Sequence, residues 1–97
     1  MNKISNLPAH KARNLIGQKK ISSTELVKSC IKQYEKHNSN VNAIVAFDQK
    51  DVLDQAKKCD EKVFKGDTLG LLHGLPVGIK DLQMVKNLRS TYGSLLF

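Results

Sequence analysis

A lysine closes a short apolar run in this chain. Residues 72–81 read Leu72-His73-Gly74-Leu75-Pro76-Val77-Gly78-Ile79-Lys80-Asp81. The spacing predicts a buried strand over 75–79, with Gly74 and Pro76 at its start. A buried lysine is costly unless its charge is paired or lost. One at the end of a core strand is therefore either a functional amine or a strand-end side chain whose ammonium reaches water along its own stem. Spacing alone leaves both readings standing.

The residues before this run predict helices. Pro8 suits a first helical turn over 9–16, and Gly17 is expected to end that helix. Ser22 followed by Glu25 is a capping box for the next one. Its apolar positions Leu26, Val27, Cys30, Ile31 and Tyr34 recur at helical spacing and predict one buried stripe, which the polar run 37–40 ends. Residues 42–47 are nearly all apolar and predict a strand covered on both faces. Asp48 can cap a third helix with the core stripe Val52, Leu53, Ala56, Cys59, Val63 and Phe64, ended by Lys65-Gly66-Asp67. Strand, helix, strand in that order implies α/β architecture, with a right-handed crossover if the strands are parallel.

A net charge of +7 raises the question of polyanion binding. Residues 1–20 carry Lys3, Lys11, Arg13, Lys19 and Lys20 with no acid, and the remaining residues are nearly balanced. A basic end on a balanced chain reads as a solvated helix face. Five aromatic residues and no tryptophan give no stacking platform interleaved with these lysines,. Nucleic acid is thus not an expected direct partner. No segment approaches the ~18 apolar residues of a membrane span, and no apolar run follows Met1 that would serve as a secretion signal. Cys30 and Cys59 show no paired spacing, so both are expected as free thiols on apolar helix faces. A reduced, cytoplasmic setting is the simplest reading. His10, His37 and His73 are isolated, without metal-ligand spacing.

The 72–81 segment, with Ser90-Thr91-Tyr92-Gly93-Ser94 after it, resembles the N-terminal hallmark of the amidase-signature family. These are amide-bond hydrolases with a Ser–cis-Ser–Lys triad. The likeness extends upstream through both helices and the 42–47 segment, with its specificity in 72–94. It implies that Lys80 is the catalytic lysine, that no cofactor is needed, and that the substrate is a small linear amide. It implies an α/β fold of N-terminal helices plus the first strands of a mixed sheet, incomplete here. Residues 1–97 are expected to be the N-terminal section of one such domain, with 1–40 helical and 41–97 strand, helix, strand and turn. The family's two serines belong to a Gly/Ser-rich stretch expected beyond Phe97, so this section alone is expected to be inactive. One departure is Asn87, where many relatives carry glycine; Asn tolerates left-handed backbone.

None of the serines present fits that stretch. Ser22-Ser23 lacks glycines and is explained by helix capping. Ser94 belongs, in the resemblance, to a turn lining the site, and a nucleophile needs an adjacent base and an oxyanion hole. In the implied chemistry the cis-serine relays the nucleophile's proton to a neutral lysine. Val77 and Ile79 are expected to desolvate that amine, and strand alternation is expected to turn Asp81 away from it. Two further readings remain: the amidase subunit of a tRNA-dependent amidotransferase, with tRNA met only through the complex, and a non-catalytic, basic, helical interaction module. A homodimer is an open expectation.

Overall fold

The computed structural model describes residues 4–81, 83, 85, 86, 88 and 89. A 3-10 turn, Ile4–Asn6, precedes three helices: α1 (Ala9–Gly17), α2 (Ser23–Val41) and α3 (Gln49–Lys65). The expectations for Asn87 and for residues 90–97, including Ser94 and Phe97, lie outside the described residues.

Capping chemistry sets most helix boundaries. Ser22 has extended backbone and its Oγ accepts from the Glu25 N–H at 2.9 Å, the N-terminal half of the expected capping box. Asp48 does the same for α3, accepting from the Asp51 N–H at 3.1 Å. At the far end of α3, Gly66 takes φ +79° while the Gly66 and Asp67 N–H groups bond back to Val63 and Lys62. This is a Schellman stop, and glycine suits its left-handed position.

The first helix stops differently from the expectation. Gly17 is its last helical residue, and Lys19, at φ 61°, takes the left-handed position. Its N–H bonds the Ile16 carbonyl and the Lys20 N–H bonds that of Leu15, so the same stop is built on a residue with a Cβ. Helix α2 also runs past the polar segment 37–40 and ends at Val41, with Asn42 left-handed at φ 48°. Polar side chains on the solvent side do not stop it.

The core has two parts. Ala12 and Ile16 of α1 meet Leu26 of α2, with Leu75 packed against them. Further along α2, Val27 and Ile31 meet Ala56 of α3, with Val52 and Leu53 beside them. Helix α3 therefore runs back along α2, its later turns facing the start of α2. Phe47 returns to α2 through its ring contact with Tyr34, centroids 4.9 Å apart. Phe64, expected in the core stripe, is instead 83% exposed. It lies one helical step round from half-buried Val63, and its ring meets the Lys19 ammonium at 6.0 Å.

Neither expected strand forms a ladder among the described residues. In 42–47 the backbone of Ile44 is satisfied by a side chain: Asn38 Nδ2 donates to its carbonyl at 3.0 Å and Asn38 Oδ1 accepts from its N–H at 2.9 Å. Arg89 donates to the Val45 carbonyl. Ile44 and Val45 remain 45% and 40% exposed, not covered on both faces. In 75–79 only Leu75 packs on the core, while Val77 is 80% exposed. A strand needs a neighbour for its backbone groups, and no described segment supplies one. The described architecture is helical.

Candidate active site

The lysine-bearing segment leaves the helical core from a turn at 71–74, and three side-chain hydrogen bonds hold residues 70–74. Arg13 of α1 donates through Nε to the Gly70 carbonyl at 2.9 Å. The ring nitrogen Nε2 of His73 lies 2.9 Å from the Cys59 carbonyl of α3. That carbonyl only accepts, so this nitrogen carries the proton. Ser23, in the first turn of α2 and 2% exposed, donates through Oγ to the Gly74 carbonyl at 2.7 Å. Gly74 itself has φ +80°, and a Cβ there would lie 3.3 Å from both Ile16 Cδ1 and Ser23 Cβ. Its left-handed backbone favours glycine, and a Cβ would in addition have to push Ile16 and Ser23 back by a few tenths of an ångström.

Asp60 of α3 supports Ser23 from the other side. Its Oδ1 accepts from the Ser23 N–H at 2.6 Å, and its Oδ2 accepts from the Thr24 N–H at 3.1 Å and the Thr24 hydroxyl at 2.6 Å. With Ser22 bonding the Glu25 N–H, three of the four otherwise unpaired donors of the α2 N-terminus are satisfied. A carboxylate there also meets the positive end of the helix dipole, and these charge-assisted bonds offset its desolvation.

Lys80 lies six residues beyond Gly74 and is exposed. Val77 and Ile79, expected to enclose it, are 80% and 50% exposed, so they do not desolvate it among the described residues. No neighbouring strand is present among the described residues, so apolar side chains on both faces stay in water. The alternation expected to separate Lys80 from Asp81 likewise lacks its ladder; Asp81 is half-buried while Lys80 is not. The Lys80 carbonyl accepts from the Gln83 N–H at 3.1 Å, closing a turn directly after the lysine.

The structure thus places Lys80 on an exposed arm whose root is hydrogen-bonded to all three helices. Sequence reasoning singles out the arm and misses most of the root. Ser22-Ser23 reads as two capping serines, yet only Ser22 caps; Ser23 turns inward to Gly74. Asp60 carries a usable signal, since it interrupts the stripe formed by Ala56 and Val63 at helical spacing. His73 is legible only as an isolated histidine, because its partner is a backbone carbonyl. Both cysteines are unpaired and half-buried, and burial raises the Cys30 thiol above its ordinary pKa. No described helix is long and apolar enough to cross a membrane.

Comparison with known proteins adds a family. The family model described as Amidase matches residues 25–97. The chain is 39% identical over 90 residues to a glutamyl-tRNA(Gln) amidotransferase subunit of Clostridium botulinum (strain Eklund 17B / Type B), covering 93% of this chain and 19% of that protein. The protein of the same name from Brevibacillus brevis is 38% identical over 77 residues, covering 78% of this chain and 16% of the relative. That from Anaplasma phagocytophilum is 38% identical over 89 residues, covering 92% and 17%. The chain therefore spans about a fifth of the length of the curated relatives it matches. No solved structure matches significantly.

Proposed function

The chain belongs to the amidase family, and from that premise we propose that it is the N-terminal section of an amide-bond hydrolase whose catalytic lysine is Lys80. In this reading residues 1–97 are part of a single domain. A serine nucleophile and a cis-serine are supplied by polypeptide other than the residues described. The nucleophile's proton passes through the cis-serine to the Lys80 amine as its oxygen attacks the amide carbonyl. The amine returns it to the departing nitrogen, and water then cleaves the acyl-serine. The amine has to be neutral when it acts, and desolvation favours that form. Exposed Val77 and Ile79 are the walls that such an enclosure would close upon.

The observation that carries this reading is the family match, which runs through Ile79-Lys80-Asp81. The named relatives favour a narrower second reading. All three are subunits of a glutamyl-tRNA(Gln) amidotransferase, so the hydrolysis we infer is the release of ammonia from glutamine within a tRNA-dependent amidotransferase. A general amidase acting on simple amides is the alternative, and tRNA would be met only through partner subunits.

The test uses a chimaera in which residues 1–97 replace the matching section of the Clostridium botulinum protein. Hydrolysis of glutamine and of simple aliphatic and aromatic amides is measured for the parent chimaera, Lys80→Met and Lys86→Met. Losing a positioned base costs ~10²–10⁴ in rate, so Lys80→Met should fall that far. Exposed Lys86 matches no catalytic position, and its variant should keep the parent rate. Equal rates for Lys80→Met and the parent would overturn the assignment.

A further inference from the structure

We propose that Asp60 is a positioning residue for Lys80, acting through Ser23 to fix the direction in which the lysine-bearing arm leaves the core. The inference rests on the reading of Lys80 as the catalytic base. Asp60 is far from that lysine in sequence and belongs to no motif of residues 72–94.

The contacts form one continuous path. Both carboxylate oxygens of Asp60 are committed to the first turn of α2, through the Ser23 N–H, the Thr24 N–H and the Thr24 hydroxyl. Ser23 receives this support on its backbone and passes it on through its hydroxyl, which donates to the Gly74 carbonyl at 2.7 Å. The residue before Asp60 grips the residue before Gly74, since the Cys59 carbonyl bonds the His73 ring. Two adjacent residues of α3 thus set two adjacent residues of the turn. Gly74 is packed so closely on Ile16 and Ser23 that a Cβ would lie 3.3 Å from each, so a shift of α2 is passed to the turn.

Beyond this root the arm runs exposed from Pro76 to Lys80, and the Gln83 N–H closes a turn on the Lys80 carbonyl at its far end. Leu75 is its last side chain packed on the core, and Val77, Gly78, Ile79 and Lys80 are exposed. Five extended residues from Leu75 to Lys80 reach at most about 17 Å. A rotation of about 3–4° at the root then moves the amine by about 1 Å, a displacement that can cost about 10²-fold in a catalytic step. The clamp at 59–60 therefore controls the lysine at a distance. A purely structural cap on α2 would not need Ser23 to turn inward, because Ser22 already caps that helix.

Two variants cut the path at different places. Asp60→Asn removes the charge and one acceptor, and Ser23→Ala removes only the hydroxyl link to Gly74. In the 97-residue chain, amide exchange is followed at His73 and Leu75, whose N–H groups bond the Gly70 and Leu72 carbonyls. Either variant should speed exchange there about tenfold, with Ile31 and Ala56 in the second core cluster unchanged. In the amide-hydrolysing chimaera, either should lower kcat about tenfold or more per folded molecule while KM and the pH profile hold. The double variant should lose no more than the worse single one, because both break the same path. Unchanged exchange at His73 and Leu75 in both variants, additive losses, or a kcat that falls only with the folded fraction would each overturn the proposal. If Asp60→Asn does not fold, Ser23→Ala decides by the same measurements. The two readings fail separately. Full activity in Lys80→Met removes the base assignment, whereas inactive Lys80→Met beside fully active Asp60→Asn and Ser23→Ala removes only the role of Asp60.

Discussion

At the scale of single residues, two left-handed positions carry opposite consequences. Gly74 (φ +80°) sits where a Cβ would press on Ile16 and Ser23. Gly74→Ala should cost about 2–3 kcal/mol from backbone strain and crowding together. Lys19 (φ 61°) already bears that backbone strain. In a Phe64→Ser background, which takes away the Lys19 ammonium contact with the Phe64 ring, Lys19→Gly should therefore stabilise by about 0.5–1 kcal/mol, even after the flexibility glycine adds to the unfolded chain. Urea unfolding at pH 7 checks both, and a lower midpoint for Lys19→Gly in that background would refute the strain argument. Cys30 supplies a pH test. Burial raises its pKa, so the folded chain holds the thiol proton longer than the unfolded chain does. Its contribution to stability is complete below the ordinary thiol pKa, about 8.5, and is lost as pH rises through the raised value. Native Cys30 should also alkylate more slowly at pH 8 than glutathione does, while denatured, non-reduced chain should titrate two thiols. The residues that hold the candidate site are the least legible in the sequence. Ser23, Asp60 and His73 act on partners 51, 37 and 14 positions away, and no local pattern encodes such pairs.

At the scale of elements, helices are legible in the sequence and strands are not, because a helix satisfies its own backbone and a strand does not. Ser22, Asp48 and Gly66 each act where the sequence places a cap. The 42–47 segment shows the opposite case. Its apolar composition suits a strand, but the backbone of Ile44 is bonded by the Asn38 side chain, a local substitute for a ladder. Capping also yields a comparison to measure. Asp48 is the sole side-chain cap seen on the described start of α3, so Asp48→Ala should cost about 1 kcal/mol. The start of α2 has Asp60 as well as Ser22. Of the α2 N–H groups, however, Asp60 pairs only those of Ser23 and Thr24, so Ser22→Ala leaves the Glu25 N–H unpaired. It should cost about as much as Asp48→Ala in the same urea titration; a cost near zero would show that the Ser22 cap does not hold α2.

At the scale of the whole molecule, the chain is looser than its length requires. Its radius of gyration is 14.6 Å, against about 12.5 Å for a compact domain of this size. The excess goes with apolar side chains left in water: Leu71 is 90% exposed, Phe64 83%, Val77 80% and Leu72 75%. Exposed apolar side chains favour association where they lie close together, as adjacent Leu71 and Leu72 do. A net charge of +7 opposes it, and that repulsion is long-ranged only while salt is low, since the screening length falls from about 30 Å at 0.01 M to about 10 Å at 0.1 M. The balance should therefore turn with ionic strength. Light scattering should show mainly monomer at 0.01 M salt and growing oligomers above 0.1 M. Leu71→Ser with Leu72→Ser should raise the salt needed, because these side chains give up apolar area without touching the core clusters. Phe64→Ser should do the same more weakly, as part of its ring already meets Lys19. A monodisperse monomer at every salt concentration would mean that the exposed apolar side chains are too scattered to act together.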